Sequence, residues 1–430
     1  MNNRNLTRWS RLDNTAKIFP SNSTKRDSKV FRFACELKQA VDPELLQSAL
    51  DKTLEQFPLF RSVMKKGLFW YYLEESTLPA YVQPETLPPC APIYNANRKT
   101  LLFHVFYYHK RISIEVYHVL ADGTGGLQFL RTLVYYYLLE RYRDDFGEVL
   151  PELNDHASQW QKRDDSFQKY YEKHKVSRLS LGRNAYRLRG ERIPGNRITV
   201  IEGKMSLQRL LACSHEKKVT LTEFMVSVFI CAIHEDMRLR DYSHPIVITV
   251  PVNLRGYFPS ESVRNFFETI NVEYDFSRQE DSLGSVLSHV RQCFRENLTK
   301  EKLREQMNML CAMEHSIPMR IVPLAIKNPV LRVANMLAER KTTASFSNVG
   351  KVAVPSEMEQ YIHLFGAFAS PNMLQASACS FQDNYVVSFA GPFCRHDIER
   401  SFFQKLVQLG VDVVITTNLS QTESGTTNIK

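Results

Sequence analysis

A β-hairpin that runs into a glycine-rich turn and a long helix is the feature that most constrains the fold of this 430-residue sequence. Two strand-like segments, LLFHVFYY (101–108) and RISIEVYH (111–118), are separated only by a His-Lys pair, which predicts an antiparallel hairpin. The glycine-containing run VLADGTGG (119–126) follows, and the aromatic-rich residues after it predict a helix over roughly 125–142. A strand that leads at once into a buried helix predicts packed layers of sheet and helix.

The rest of the chain repeats this alternation of strands and helices. FRFACEL (31–37) is strand-like, and a helix is predicted after it because Asp42 can cap it and Pro43 suits its first turn. The second half begins again with the strand ITVIEGKM and continues with helices such as LGSVLSHVRQCFRENL and strands such as TINVEYDF and NYVVSFAGP. Strands mixed with helices and hairpins predict an α/β fold with mixed sheets, rather than a parallel doubly wound sheet.

A basic segment near the middle of the chain indicates two domains. The length suits two domains, and residues 173–197 carry eight Lys/Arg but only one acid, Glu191, a local net charge of +7. A charged stretch that is poor in large aliphatic residues is typical of a solvated linker. We therefore expect an N-terminal subdomain over 1–175, a basic linker over 176–196 and a C-terminal subdomain over 197–430.

The net charge of the chain is +9, and 43% of its residues are hydrophobic, which is typical of a globular protein. The positive excess is compatible with an anionic partner such as phosphate, nucleic acid or a membrane surface, and also with a slightly basic solvated surface. Nucleic-acid binding predicts aromatic residues interleaved with basic ones. The basic segment has only Tyr186, so no nucleic-acid partner is expected.

The eight cysteines include no CxxC pair and no His/Cys cluster with zinc spacing, so no metal site is expected. Several lie in apolar runs, as Cys231 does in VSVFICAI, and predict buried thiols in a reducing compartment. The N-terminal MNNRNLTRWS lacks the apolar core of a signal peptide, and no apolar run approaches the about 20 residues of a membrane-spanning helix. We expect a cytoplasmic protein without a membrane span.

Four interpretations are open for the segment from His118 to Gly123. A metal site is disfavoured because Gly123, Gly125 and Gly126 argue against a helix that would align His118 with Asp122, and no further ligands are adjacent. A phosphate loop is weakly indicated, because TGG precedes a helix but fits neither nucleotide-binding glycine pattern. Asp122 can simply cap the helix beside a structural histidine. The fourth interpretation is general-base catalysis, in which a glycine turn folds the backbone close to a histidine held in one tautomer.

The segment HVLADG also resembles the HxxxDG motif of the superfamily that includes chloramphenicol acetyltransferase, plant BAHD acyltransferases, nonribosomal peptide condensation domains and alcohol acetyltransferases. PVNLRGYFP (251–259), followed by RNFFETINVEY, resembles the segment of that superfamily that carries an arginine and then Asn-Phe before a strand. SFSNVG (345–350) resembles the SNxG strand of the alcohol acetyltransferase branch. Because these segments occur in the family order over nearly the whole chain, the sequence is identified as a member of this superfamily, closest to that branch.

The resemblance implies two chloramphenicol acetyltransferase-like subdomains, with mixed sheets flanked by helices and an active-site tunnel between them. His118 would be the single catalytic base, taking a proton from the acceptor and returning it to the departing thiolate without an acyl-enzyme. Asp122 would pair with Arg255 to shape the loop at Gly123 and would not relay protons. No cofactor is implied. Acyl-CoA would be the co-substrate, and its acyl group, acetyl by the family pattern, would pass to a small alcohol or, less favourably, an amine.

Two departures from the family patterns leave alternatives open. Tyr117 stands where many condensation domains have a first histidine, a position that varies in the family. The DFGWG box of the plant branch is absent and SFSNVG occupies its place, so Ser347 and Asn348 are candidate oxyanion donors, with strand-end hydrogen bonding as the alternative. A carrier protein that presents a thioester could replace CoA as donor. An inactive ligand-binding relative is the remaining alternative.

Overall fold

The computed structural model describes residues 9–148, 150–153, 158–172, 182–370 and 372–419. The strands in these ranges are β1 (Trp9–Arg11), β2 (Val30–Leu37), β3 (Ser62–Lys66), β4 (Tyr71–Glu75), β5 (Val82–Pro84), β6 (Phe103–Tyr108), β7 (Arg111–Tyr117), β8 (Thr199–Ser206), β9 (Ile246–Asn253), β10 (Phe267–Tyr274), β11 (Ala344–Lys351), β12 (Ile362–Ala369), β13 (Gln375–Phe381), β14 (Asn384–Gly391) and β15 (Val414–Thr417).

The α-helices in the same ranges are α1 (Phe19–Asn22), α2 (Pro43–Gln56), α3 (Gly123–Arg141), α4 (Gln159–Arg163), α5 (Ser166–Tyr170), α6 (Leu207–Glu216), α7 (Leu221–Asp236), α8 (Leu283–Asn297), α9 (Lys300–His315), α10 (Ile317–Ile321), α11 (Leu324–Glu339) and α12 (Asp397–Gln408). The strands form a first sheet in the order β12-β2-β7-β6-β5, a second in the order β10-β9-β11-β13-β14-β8-β15 and a third in the order β1-β4-β3. Among the residues described, no helix is long and apolar enough to cross a membrane.

The first sheet contains the predicted hairpin. β6 and β7 pair antiparallel from Phe103 opposite Val116 to Tyr108 opposite Arg111, and β2 pairs antiparallel on the other side of β7. The chain leaves β7 and enters α3, which begins at Gly123, slightly before the predicted start. The hairpin and the long helix are therefore confirmed.

Helix α2 forms where the sequence predicts it. The Asp42 side chain accepts hydrogen bonds from the backbone N–H groups of Glu44 and Leu45, which would otherwise lack partners at the helix start. Its apolar stripe packs against α3, and Leu46 and Leu50 are fully buried there. Burying a leucine contributes about 1.5–3 kcal/mol, so this contact fixes α3 on the first sheet.

The second sheet is mixed, as predicted. β11 runs parallel to both β9 and β13, whereas the remaining neighbours pair antiparallel. α7 begins at a capping box in which Thr220 and Glu223 bond each other's backbone, and it is apolar on nearly all sides. It packs between α8 and α12, so the second sheet has its own helical layer and its own core.

The predicted domain boundaries stay a prediction, but two features bear on how the halves are joined. β12, from the second half of the chain, forms the edge of the first sheet by pairing antiparallel with β2. Of the predicted linker, 176–181 lies outside the described residues. The remainder is not simply solvated: the backbone N–H of Ala185 donates to Arg340 O, and that of Tyr186 donates to Pro245 O at 2.7 Å.

Candidate active site

His118 follows Tyr117, the last residue of β7 in the first sheet. Its backbone N–H donates to Lys29 O at 2.8 Å, and Lys29 has a φ of 56°, a left-handed conformation that lysine rarely adopts. The imidazole lies among the rings of Phe19, Phe31 and Phe267, with centroid distances of 5.1, 4.7 and 6.0 Å. Because Phe31 belongs to β2 and Phe267 to β10, the first and second sheets both contribute walls around this half-buried residue.

Asn265 is fully buried and contacts both the backbone and the ring of His118. Its Nδ2 donates to His118 O at 2.9 Å and to Asp13 Oδ2 at 3.1 Å. Both amide hydrogens are then used, which assigns Oδ1 to the ring side, 3.3 Å from His118 Nδ1. A carbonyl oxygen can only accept, so this contact places the hydrogen of the neutral ring on Nδ1 and leaves the Nε2 lone pair available.

The surroundings of His118 favour its neutral form. Burial lowers the pKa of the imidazole from 6.5 to about 4. The hydrogen bond with Asn265, the Asp122 carboxylate and the backbone at Ala121 act in the opposite direction, but burial outweighs them. The ring is therefore a proton acceptor at neutral pH, which is the state a general base requires.

Asp122 is the N-cap of α3, and both of its oxygens are occupied. Oδ1 accepts from the backbone N–H of Gly125 at 2.9 Å. Oδ2 accepts from Arg255 Nη1 at 2.7 Å and from the backbone N–H of Phe266 at 2.9 Å. Because Asp122 is buried, these protein donors rather than solvent hold the carboxylate at the start of α3.

The guanidinium of Arg255 extends this connection into the second half of the chain. Besides the Asp122 contact, it donates to Ser262 O at 2.8 Å and to Arg264 O at 2.7 Å. Arg255 therefore joins the start of α3 to the loop 262–266, which also carries Asn265. The structure thus brings the predicted partners Asp122 and Arg255 together. The carboxylate oxygens of Asp122 bond Arg255 and backbone N–H groups rather than the imidazole of His118.

The glycines after Asp122 differ in how much space they have. A Cβ at Gly123 would meet its nearest neighbour, a phenylalanine ring of β2, at 3.7 Å, which is ordinary van der Waals contact. A Cβ at Gly125 would lie 1.9 Å from Val263 O, and one at Gly126 would lie 2.5 Å from the ring of Phe31. The sequence predicts a glycine turn that folds the backbone towards the histidine. In the structure, Gly125 and Gly126 instead allow α3 to approach the loop 262–266 and β2 closely.

Ser347 and Asn348, the candidate oxyanion donors, lie on β11 and are half-buried. Asn348 Nδ2 donates to Thr222 Oγ1 at 2.8 Å, and its Oδ1 accepts from the backbone N–H of Gly350 at 3.0 Å. The bond with Gly350 is the local strand-end bonding that the sequence leaves as the alternative, whereas the bond with Thr222 joins β11 to the start of α7 and uses one of the two amide hydrogens. In the described residues, the hydrogen bonds of His118 join it to Lys29, Asn265 and the backbone at Ala121 rather than to these two residues.

Asp13 is a site residue that the sequence does not indicate, and Asn265 appears there only as the asparagine of the Asn-Phe pair, without a predicted contact to the histidine. Asp13 accepts from the backbone N–H of Ala16 at 2.8 Å, and Arg264 Nε lies 3.7 Å from its Oδ2. Burial raises the pKa of Asp13 to about 6, although Arg264 opposes the shift. The only sequence signal is local: an aspartate that can cap the turn after it. Its contact with Asn265 spans 252 residues of sequence and carries no local pattern.

Glu268 is a further buried carboxyl group close to the site, one residue beyond Phe267 on β10. Its Oε1 has no hydrogen-bond partner among the described residues. Burial raises its pKa from 4.5 to about 7, and a hydrogen bond with the backbone at Thr269 lowers the pKa by a smaller amount. Glu268 is therefore partly protonated at neutral pH.

A cavity of about 770 Å³ has Lys17, Trp70, Asp165 and Glu314 among its lining residues. His118 is not one of them. The charge of Asp165, which lines the cavity, acts on Asp13. Asp13 accepts a hydrogen bond from Asn265, which contacts His118, so Asp13 and Asn265 link the cavity wall to the histidine. Within the described residues, no group of three His, Cys, Asp or Glu side chains is arranged to hold a metal ion.

Solved structures with the same overall architecture were found by structural comparison, whereas no protein-family model and no curated protein matches the sequence. F. graminearum TRI101, complexed with coenzyme A and T-2 mycotoxin, matches with a TM-score of 0.64 at 11% identity, over 94% of this chain and 99% of that chain. Polyketide synthase associated protein 5 from Mycobacterium tuberculosis matches with a TM-score of 0.59 at 15% identity, over 93% and 97% of the two chains.

The starter condensation domain of rhizomide synthetase, in complex with C8-CoA and Leu-SNAC, matches with a TM-score of 0.60 at 11% identity, over 94% of each chain. Acetyltransferases and condensation domains thus share one architecture with nearly the full length of this chain. The chain therefore has the α/β fold, with mixed sheets flanked by helices, that these acetyltransferases and condensation domains share.

Proposed function

We propose that the protein is an acyltransferase that moves an acyl group from a thioester donor to a hydroxyl, with His118 as the general base. The observation that carries this proposal is the neutral, oriented imidazole. Asn265 accepts from Nδ1, burial lowers the pKa of the ring to about 4, and Nε2 keeps its lone pair. A histidine with a purely structural role has no need of an uncommitted nitrogen.

In the proposed reaction, Nε2 of His118 takes the hydroxyl proton as the acceptor oxygen attacks the thioester carbonyl. The C–O bond forms, the carbonyl electrons move to oxygen, and a tetrahedral intermediate results. Its collapse breaks the C–S bond, and the imidazolium returns its proton to the departing thiolate. The products are an ester and a free thiol, and the enzyme ends in the state in which it began.

Asp122 and Arg255 are positioning residues in this proposal. Both oxygens of Asp122 are taken by Arg255 and by backbone N–H groups, so the carboxylate is not directed at the imidazole. Arg255 holds the loop 262–266 against α3 and thereby places Asn265 beside the ring. Ser347 and Asn348 remain candidate donors to the oxyanion; Asn348 Nδ2 gives one hydrogen to Thr222 and keeps a second.

Acyl-CoA is the donor we propose. Similar structures hold coenzyme A, ethyl coenzyme A or C8-CoA, and the net charge of +9 suits an anionic co-substrate. The acceptor is proposed to be a small alcohol, with acetyl as the acyl group, as the alcohol acetyltransferase resemblance suggests. A carrier protein that presents the thioester is the second candidate donor, because condensation domains are among the similar structures.

The test is the release of free thiol by the wild-type protein, with either acetyl-CoA or an acetylated carrier protein as donor, against a panel of alcohols and amines. We expect acceptor-dependent release from acetyl-CoA, with mass spectrometry showing the ester. Release only from the carrier protein would replace the proposed donor. No release from either donor with any acceptor would contradict the proposal and favour a ligand-binding relative.

A further inference from the structure

Helix α11 presents its apolar side to solvent. Ile326, Val330, Val333 and Leu337 are 61%, 62%, 53% and 50% exposed. Their spacing of four, three and four residues places all four on one face of the helix. In a helix that packs on a core, this stripe is the one that would be buried, so α11 has an unpartnered apolar face.

The opposite face of α11 attaches the helix to the protein through polar groups. Lys327 is buried; its Nζ donates to Phe69 O at 2.8 Å and lies 3.4 Å from the centroid of the Trp70 ring. Asn328 Nδ2 donates to the Tyr71 hydroxyl at 3.1 Å. These contacts fix the orientation of the helix, because turning the apolar stripe inwards would bury it only by breaking the bonds of a buried ammonium group.

The apolar surface continues on both sides of the start of α11. Ile317 and Ile321 on α10 are 72% and 63% exposed. Leu68, whose carbonyl accepts the backbone N–H of Leu324, is also exposed. Monomeric soluble proteins rarely expose contiguous apolar patches beyond a few hundred Å², and larger ones mark surfaces that bind another molecule or a membrane. We name the exposed apolar residues of α10 and α11 the α10–α11 face.

The charges around the α10–α11 face select its partner. Residues 317–341 contain five basic side chains and one acid, Glu339, and without the buried Lys327 the net charge of this segment is +3. A second copy of the chain related by a two-fold axis would place this charge against itself. An apolar stripe within a basic segment instead fits a surface with an apolar interior and anionic head groups.

We propose that the α10–α11 face docks the protein on an anionic lipid surface. The apolar stripe would enter the boundary between head groups and acyl chains, with the helix axis in the membrane plane. Arg320 and Arg340, which are exposed, would face the anionic head groups, whereas Arg332 Nε donates to Ser21 O at 2.7 Å and is held against the protein. α11 has 16 residues, which is shorter than the about 20 that a spanning helix needs, so the interaction is peripheral. The proposal does not depend on acyl transfer.

The test is co-sedimentation of the full chain with phosphatidylcholine vesicles prepared with and without phosphatidylglycerol. The double variant Val330→Glu/Val333→Glu places two anions on the α10–α11 face. Val407→Glu on α12 is the matched control, because Val407 is also a helical valine and is 54% exposed, as against 53% for Val333. All these side chains are largely in solvent, so the variants are expected to keep the wild-type circular dichroism spectrum and melting temperature.

We expect the wild type and Val407→Glu to bind the anionic vesicles, the double variant to bind about tenfold more weakly or less, and added salt to weaken wild-type binding. Failure of the wild type to bind anionic vesicles would overturn the proposal, as would equal binding by the double variant. A dimer that dissociates only in the double variant, measured by sedimentation equilibrium without lipid, would overturn it in favour of a second copy on this face. The milder Val330→Ser/Val333→Ser pair repeats the comparison without added charge.

Discussion

Replacing Gly125 by alanine is expected to disable the site, whereas the same change at Gly123 should not. The new Cβ at 125 would lie 1.9 Å from Val263 O, and real Cβ contacts essentially never fall below 3.0 Å, so the backbone must move by about 1 Å. Overpacking of this kind costs about 1–3 kcal/mol, offset by about 1 kcal/mol because alanine suits a helix better than glycine. The net loss of stability is therefore small.

The larger effect of Gly125→Ala is expected on the position of Asn265 relative to His118. Val263 belongs to the loop that carries Asn265, whose Oδ1 lies 3.3 Å from His118 Nδ1. A shift of about 1 Å at a catalytic group can lower the rate about 100-fold. We expect thiol release by Gly125→Ala to fall by about that factor, while Gly123→Ala, with 3.7 Å available to its Cβ, stays within a few-fold of wild type. Equal rates for both variants, with melting temperatures near wild type, would refute the steric argument.

Three other perturbations probe the site. Arg255→Ala leaves the buried Asp122 carboxylate without its cation and is expected to lower the free energy of unfolding by about 3–5 kcal/mol, measured by urea denaturation; an unchanged value would rule out a structural ion pair. Because only the neutral His118 ring can accept a proton, the acid limb of kcat/KM is expected near pH 4 rather than near 6.5, and a limb at 6.5 would contradict the burial effect. Between pH 4.5 and about 7 the folded chain holds the Glu268 proton that the unfolded chain releases, so the contribution of Glu268 to stability falls as pH rises through this window, by at most about 3 kcal/mol. Because the buried His118 has the opposite pH dependence, the effect is measured as the difference between the pH-dependent thermal melts of the wild type and Glu268→Gln; parallel profiles of the two proteins would contradict it.

Much of the fold could be predicted because its signals are local. The β6–β7 hairpin follows from two β-rich segments and a short turn, and α2 follows from Asp42, Pro43 and the apolar stripe after them. The mixed character of the second sheet follows from its interleaved hairpins and helices. In each case the residues that determine the element lie within a few positions of one another.

Other parts carry no local signal. β12 joins the first sheet by pairing with β2, more than three hundred residues earlier in the chain, and nothing in its own sequence identifies that partner. Helices α10 and α11 are not predicted, because Pro318, Pro323 and Pro329 interrupt the pattern and the apolar face of α11 does not face a core. The buried Asp13–Asn265 contact is likewise invisible from either residue alone.

The candidate site shows the same division. The sequence singles out His118, Asp122 and Arg255. In the structure, Arg255 Nη1 lies 2.7 Å from Asp122 Oδ2, and the two side chains form a buried ion pair. Asn265 enters the resemblance only as the asparagine of the Asn-Phe pair before a strand, and nothing in its sequence neighbourhood indicates that it contacts the histidine. The role of this residue depends on the Asp13 contact, which orients its amide and thereby the His118 ring.

The central claim is that His118 is the base, and one comparison tests it most directly: thiol release from acetyl-CoA by the wild type and by His118→Ala, with the acceptor that supports turnover. Coenzyme A affinity by calorimetry and the melting temperature of both proteins show whether the variant still folds and binds. The account predicts that acceptor-dependent release vanishes in His118→Ala while affinity and melting temperature stay near wild type. Release that continues at the wild-type rate in a folded, CoA-binding His118→Ala protein would contradict it.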